Sequence, residues 1–170
     1  QRPAHCPHHC RIRELRAGEY VFIPDAQSVD PDLDVITMAV KVPQTLAHLH
    51  YWSVRMPRNA SRDEVLDAFR AFSRIALIKM SEGLGALNAV KEMMADLGRP
   101  NDSLYEVALW EDMLTVEGDE LFYAYMVDNQ AIVIPETIDA IRALTEAERD
   151  ASTSIARTNA ALGVGTLTAT

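Results

Sequence analysis

Two kinds of connection alternate along this sequence, and together they exclude most folds. Between residues 61 and 100 an amphipathic helix, a short apolar run and a second amphipathic helix follow one another, the order of a crossover. Between residues 113 and 127 two strand-like runs are parted only by Glu117-Gly118-Asp119, a hairpin turn. Crossovers join parallel strands and hairpins join antiparallel ones. A chain holding both predicts an α+β domain with a mixed sheet and helices packed mainly against one face.

The individual elements are read from their periods. Val35, Thr37, Ala39 and Lys41 alternate with Ile36, Met38, Val40 and Val42 in a strand stopped by Pro43, and a second extended run, His48–Met56, is closed by Pro57. Ser61-Arg62-Asp63-Glu64 is a capping box, with Ser61 accepting from the Glu64 N–H and Glu64 reaching back; Val65, Leu66, Phe69 and Phe72 line the helix it opens. Arg74–Met80 predicts a short buried strand. A helix over about 86–97 carries Leu87, Val90, Met93, Met94 and Leu97, and Gly98 and Pro100 end it. Strands are predicted near Leu104–Leu109, Met113–Val116 and Glu120–Val127, followed by a helix after Pro135 and another over roughly 146–162 that stops at Gly163. No repeat or linker-like stretch interrupts residues 34–163, whereas residues 1–30 show no clear period.

Composition narrows the function classes. Of 170 residues, 48% are hydrophobic and 24% charged, which is ordinary for a globular chain and argues against disorder. The net charge of −9 repels phosphodiesters and anionic lipid, so neither nucleic acid nor a membrane surface is an expected partner. No apolar run approaches the ~20 residues of a membrane span, and the first residues lack the apolar core of a secretory signal, which predicts a soluble, cytoplasmic protein. Gly83-Leu84-Gly85 lacks the further glycine and downstream acid of a dinucleotide fingerprint.

Three groups of residues could carry chemistry. His48 and His50 lie two apart on a strand and so share a face; they suit a general base or a metal pair, or equally a pair of hydrogen-bonded sheet histidines. Cys6, His8, His9 and Cys10 offer four metal-ligand types in one short terminal stretch, the alternative being a frayed terminus. Glu106, Glu111, Asp112 and Asp128 stand near strand ends, either as a carboxylate pair or as solvated acids. Trp110, Tyr123 and Tyr125 read as core or interface aromatics.

Several stretches then stand out as words. Pro24-Asp25, Leu33-Asp34-Val35-Ile36-Thr37-Met38-Ala39-Val40-Lys41-Val42-Pro43 and Thr45-Leu46-Ala47-His48-Leu49-His50 come first. Leu97-Gly98-Arg99-Pro100, Leu104-Tyr105-Glu106-Val107-Ala108-Leu109-Trp110-Glu111 and Ile134-Pro135-Glu136-Thr137-Ile138-Asp139-Ala140-Ile141-Arg142-Ala143 follow. In this order and spacing, from about residue 24 to residue 164, the chain resembles the C-terminal, catalytic part of the archaeal-type (type II) phosphorylating glyceraldehyde-3-phosphate dehydrogenases.

The resemblance implies a mixed, largely antiparallel sheet and an NADP- or NAD-dependent oxidation of glyceraldehyde 3-phosphate, with phosphate, to 1,3-bisphosphoglycerate. It places the family's general base on His48, with His50 as a possible substrate-side contact. Asp128-Asn129-Gln130-Ala131 departs from the His-Gln-Glu-Ser-like stretch of relatives at the place of the cofactor-side candidates, Asn129 and Gln130. The family's nucleophilic cysteine and dinucleotide-binding domain belong upstream of the matched part, and Cys6 and Cys10 are not in the cysteine motif. The expectation is therefore a dehydrogenase portion over residues 24–164, flanked by an unrelated segment 1–23 and a tail 165–170. A truncated or frame-shifted gene would produce such a boundary. By itself this chain is expected to bind no cofactor and to be inactive, needing the missing half or a full-length subunit. It is also expected to form homo-oligomers, and a non-catalytic oligomerisation or interaction module derived from the domain is the alternative.

Overall fold

The computed structural model describes residues 11–12, 28, 31, 40–41, 47–165 and 167. The chain divides into two units, Gln1–Thr45 and Leu46–Thr170. In the first, β1 (Arg11–Ile12) pairs antiparallel with β2 (Val40–Lys41), Ile12 opposite Val40. The remainder of the strand expected over 34–42, and the Cys6, His8, His9 and Cys10 group, lie outside the described residues.

In the second unit the period of two decides the sheet. β3 (Ala47–Arg55) pairs antiparallel along its whole length with β7 (Glu120–Asp128), from Ala47 opposite Asp128 to Arg55 opposite Glu120. The other edge of β7 is shared by β6 (Thr115–Glu117) and β5 (Val107–Trp110), both antiparallel to it, and β5 pairs parallel with β4 (Ile75–Ile78). The order β3-β7-β5-β4, with β6 beside β7, is the expected mixed and largely antiparallel sheet of an α+β domain. Gly118, at φ 67°, makes the tight β6–β7 turn.

The helices are less one-sided than the element order suggests. β4 (Ile-Ala-Leu-Ile) and β5 (Val-Ala-Leu-Trp) are apolar on both faces, so both faces need a cover. α1 (Arg62–Arg70) covers one, packing Val65 and Leu66 with Leu109, Leu114 and Leu121. α2 (Leu87–Asp96), the crossover from β4 to β5, covers the other, with Val90 and Met94 against Ile78, Ala108, Trp110, Ala124 and Met126. Met94 is wholly buried, a contribution of about 1.5–3 kcal/mol relative to an exposed side chain. Of the predicted capping box only one arm forms: the Glu64 N–H donates to Ser61 Oγ at 3.2 Å, but the Glu64 carboxylate turns to Arg58.

α3 (Ile134–Leu144) and α4 (Ala151–Leu162) pack on each other around Asp139. Its carboxylate accepts from Ser154 Oγ and Thr158 Oγ1, each at 2.6 Å, and from Arg74 Nη2 at 2.5 Å, which ties the helix pair to the residue preceding β4. Burial alone would raise the Asp139 carboxyl, but the two hydroxyls and the guanidinium outweigh it and bring it from 3.8 to about 2. A folded-state value below the unfolded one stabilises above the unfolded value and is lost as pH falls through the folded one. The urea midpoint should therefore drop between pH 4 and pH 2, and an Asp139→Asn variant, measured over the same range, should show a shallower drop.

Candidate active site

His48 and His50 owe their common face to the alternation of β3, which also carries Trp52 and Val54 on that side, while Ala47, Leu49 and Tyr51 point to the other. The register sets them opposite Val127 and Tyr125 of β7. The two imidazoles meet edge to face, with ring centroids 5.9 Å apart at 67°. His50 lies flat on Tyr125, at 4.8 Å and 9°, and the Trp52 indole N–H donates to Tyr125 Oη at 3.1 Å. Tyr123 continues the row, 6.1 Å from Tyr125 and 5.4 Å from Phe69 of α1. His48 is exposed at the strand's start and His50 is half-buried.

Their electrostatics follow from this placement. Burial, and then the neighbouring His48, lower His50 below its ordinary 6.5 and favour its neutral form. Burial raises the Tyr125 phenol, with the Trp52 N–H acting the other way, and burial raises Tyr123 as well. Among the described residues the contacts of the two imidazoles are aromatic, not hydrogen bonds.

The same end of the sheet holds the turn after β7. Asp128, opposite Ala47, accepts at Oδ1 from the N–H groups of Gln130 (2.9 Å) and Ala131 (3.2 Å), and at Oδ2 from Lys91 Nζ (2.6 Å). Burial would raise its carboxyl, but Lys91 and the two amides hold it below the ordinary 3.8. The turn places Asn129 and Gln130 directly beyond the strand that faces His48. Asn129 Oδ1 is buried and, among the described residues, accepts no hydrogen bond, whereas Gln130 is exposed.

The remaining acids have structural occupations. Glu106 is buried against Arg99, Glu111 lies 3.6 Å from Arg70, and Asp112 accepts the Met80 N–H at 2.6 Å. Among the described residues no group of three or more His, Cys, Asp or Glu could hold a metal ion. Also among them, no helix is long and apolar enough to cross a membrane. Lys91 and Trp52 are not among the residues singled out by the sequence, and Tyr125 is there only a core or interface aromatic. The period-two pattern of β3 signalled that Trp52 shares the histidine face; Tyr125 and Lys91 enter through cross-strand and helix–loop register, which no local pattern carries.

The chain is similar to a glyceraldehyde-3-phosphate dehydrogenase of Methanopyrus kandleri, 44% identical over 141 residues, or 83% of this chain and 40% of the relative. It is similar to that of Methanobrevibacter smithii at 42% over the same 83%, covering 42% of the relative. The Pyrobaculum calidifontis enzyme is 46% identical over 120 residues, 71% of this chain and 35% of the relative. The chain thus spans about two fifths of the length of the curated relatives it matches. No family model matches it.

Proposed function

Because this chain is a homologue of the archaeal glyceraldehyde-3-phosphate dehydrogenases over most of its length, we propose that residues 24–164 form the C-terminal portion of such an enzyme's catalytic domain. The observation that carries the reading is His48, exposed at a strand start on the motif Thr45-Leu46-Ala47-His48, within a match of 44% identity. The reaction is oxidation of glyceraldehyde 3-phosphate with phosphate to 1,3-bisphosphoglycerate in the cytoplasm.

His48 acts as base toward a cysteine supplied by another part of the enzyme. It takes the thiol proton, and the imidazolium so formed stabilises the thiolate as an ion pair. The thiolate adds to the aldehyde carbon; once the carbon has been oxidised, phosphate oxygen displaces the thiolate and leaves as the acyl phosphate. Bound NADP or NAD supplies the hydride acceptor. The unpaired, buried Asn129 Oδ1 suits an N–H donor such as a carboxamide, and Gln130 is beside it, so these two would hold the nicotinamide end. With no glycine-rich phosphate loop in the sequence, the dinucleotide itself is held by another domain. His50 supports the base and contacts substrate at most.

A second reading, a non-catalytic oligomerisation module, draws on the opposite face of β3 and β7. There Leu49 (42% exposed), Tyr51 (69%) and Phe122 (36%) are apolar or aromatic and open to solvent among the described residues. One experiment separates the two. The 170 residues alone are expected to give no aldehyde-dependent reduction of NADP or NAD, and a chimera carrying residues 24–170 behind the N-terminal part of the Methanopyrus kandleri relative is expected to turn over. A folded but inactive chimera, together with self-association of the isolated chain in sedimentation, would favour the module.

A further inference from the structure

The row of rings on the histidine face is more ordered than a base needs for burial alone. Tyr125 touches His50 with its face and Trp52 with its hydroxyl, and the His50 and His48 rings in turn meet edge to face. The phenol is thereby held at its tip while its ring lies nearly parallel to the imidazole. We propose that Tyr125 is a positioning residue, which fixes the plane of the His50 ring and, through it, the plane of His48. The inference rests on the reading of His48 as the base and says how that base is aimed.

The physical argument is one of rotational freedom. An exposed histidine on a strand turns about two torsions, and β3 restricts only the first. A stacked partner removes the second for His50, because tilting the ring off Tyr125 loses the flat contact. His48 then meets a fixed ring rather than a moving one. The ionisable neighbours of His50 on its own and the adjacent strand are His48, Tyr125 and, beyond it, Tyr123. The helix packed on this face turns its charges elsewhere: Arg62 to the carbonyls of Glu111 and Leu114, Arg70 to Asp67 and Glu111, Glu64 to Arg58. Burial and the adjacent His48 thus remain the influences that hold His50 toward its neutral form.

The test is long-range proton–nitrogen spectroscopy of the histidine rings in the 170-residue chain, recorded across pH 5–8. In the unsubstituted chain the His50 ring protons should lie upfield, within the Tyr125 ring current, and His50 should take up its proton below 6.5. Tyr125→Leu should abolish the upfield shift, move the His50 midpoint toward 6.5 and change the His48 nitrogen shifts and tautomer ratio. Tyr125→Phe, which keeps the ring, should restore most of both. A purely structural tyrosine would alter the melting temperature and leave the His48 nitrogens unmoved, and that result overturns the proposal. Should Tyr125→Leu fail to fold, Tyr125→Met, which also removes the ring, is read in its place; unchanged His50 and His48 spectra there overturn it equally. No turnover is read, so failure here leaves the role of His48 standing. Retained turnover in a His48 variant of the chimera would instead remove that role and leave the spectra as they are.

Discussion

Replacing His48 with Asn in the chimera is expected to lower turnover by roughly two to four orders of magnitude, with little change in KM for the aldehyde. The range is that of a positioned general base. Without it the cysteine must ionise unaided, and at neutral pH only a few per cent of an ordinary thiol is thiolate. The loss should shrink as pH rises toward the thiol's own range, because hydroxide then does the work of the missing base. A pH profile of kcat/KM for both proteins therefore checks the assignment: the variant should climb with pH where the parent is flat. A parallel fall at every pH would mean that the side chain binds substrate instead. His50→Asn should cost much less, since His50 is half-buried and acts through its neighbour.

The second large effect is on stability. Glu106→Ala is expected to cost about 3–5 kcal/mol, a fall in melting temperature of roughly 10 °C or more. Glu106 is fully buried just before β5 and accepts from both terminal nitrogens of Arg99, at 2.6 and 2.7 Å, and from the Gly165 N–H at 3.0 Å. Removing the carboxylate takes the two-pronged acceptor away from a guanidinium that is only 6% exposed, and frees the segment that brings Leu167 onto the core. A neutral pair of similar volume, Arg99→Met with Glu106→Leu, should recover most of the loss, because apolar packing replaces a buried ion pair whose desolvation offsets much of its attraction. The exposed pair Arg55–Glu120 is the control. Its side chains are 77% and 43% exposed, so Glu120→Gln should change stability by less than about 1 kcal/mol. Equal effects at the two sites would refute the distinction.

Where sequence and structure part, the reason is long-range. The strand expected from Leu104 begins at Val107, because Ser103–Glu106 are engaged elsewhere: the Leu104 N–H points at Asp128 (3.4 Å) and Glu106 holds Arg99. The final helix, expected from about 146, starts at Ala151. Asp150 accepts the Thr153 N–H at 2.7 Å as its cap, and Glu146, at φ 57°, ends the preceding turn. Glu64 left the capping box for Arg58, a competition between two partners that the motif does not encode.

By itself the sequence determined the elements, the mixed sheet, the hairpin at Gly118, the shared face of His48 and His50, and kinship with the archaeal dehydrogenases. All of these rest on spacing within one segment or on the order of segments, and backbone periodicity converts spacing directly into a face. The tertiary structure alone decided what stands opposite that face. Tyr125 lies 75 residues from His50 in number but opposite it in register, Lys91 reaches Asp128 from another helix, and α1 and α2 take different sides of the sheet. Such pairings depend on how strands align across loops of any length, and loop length is nearly silent about register.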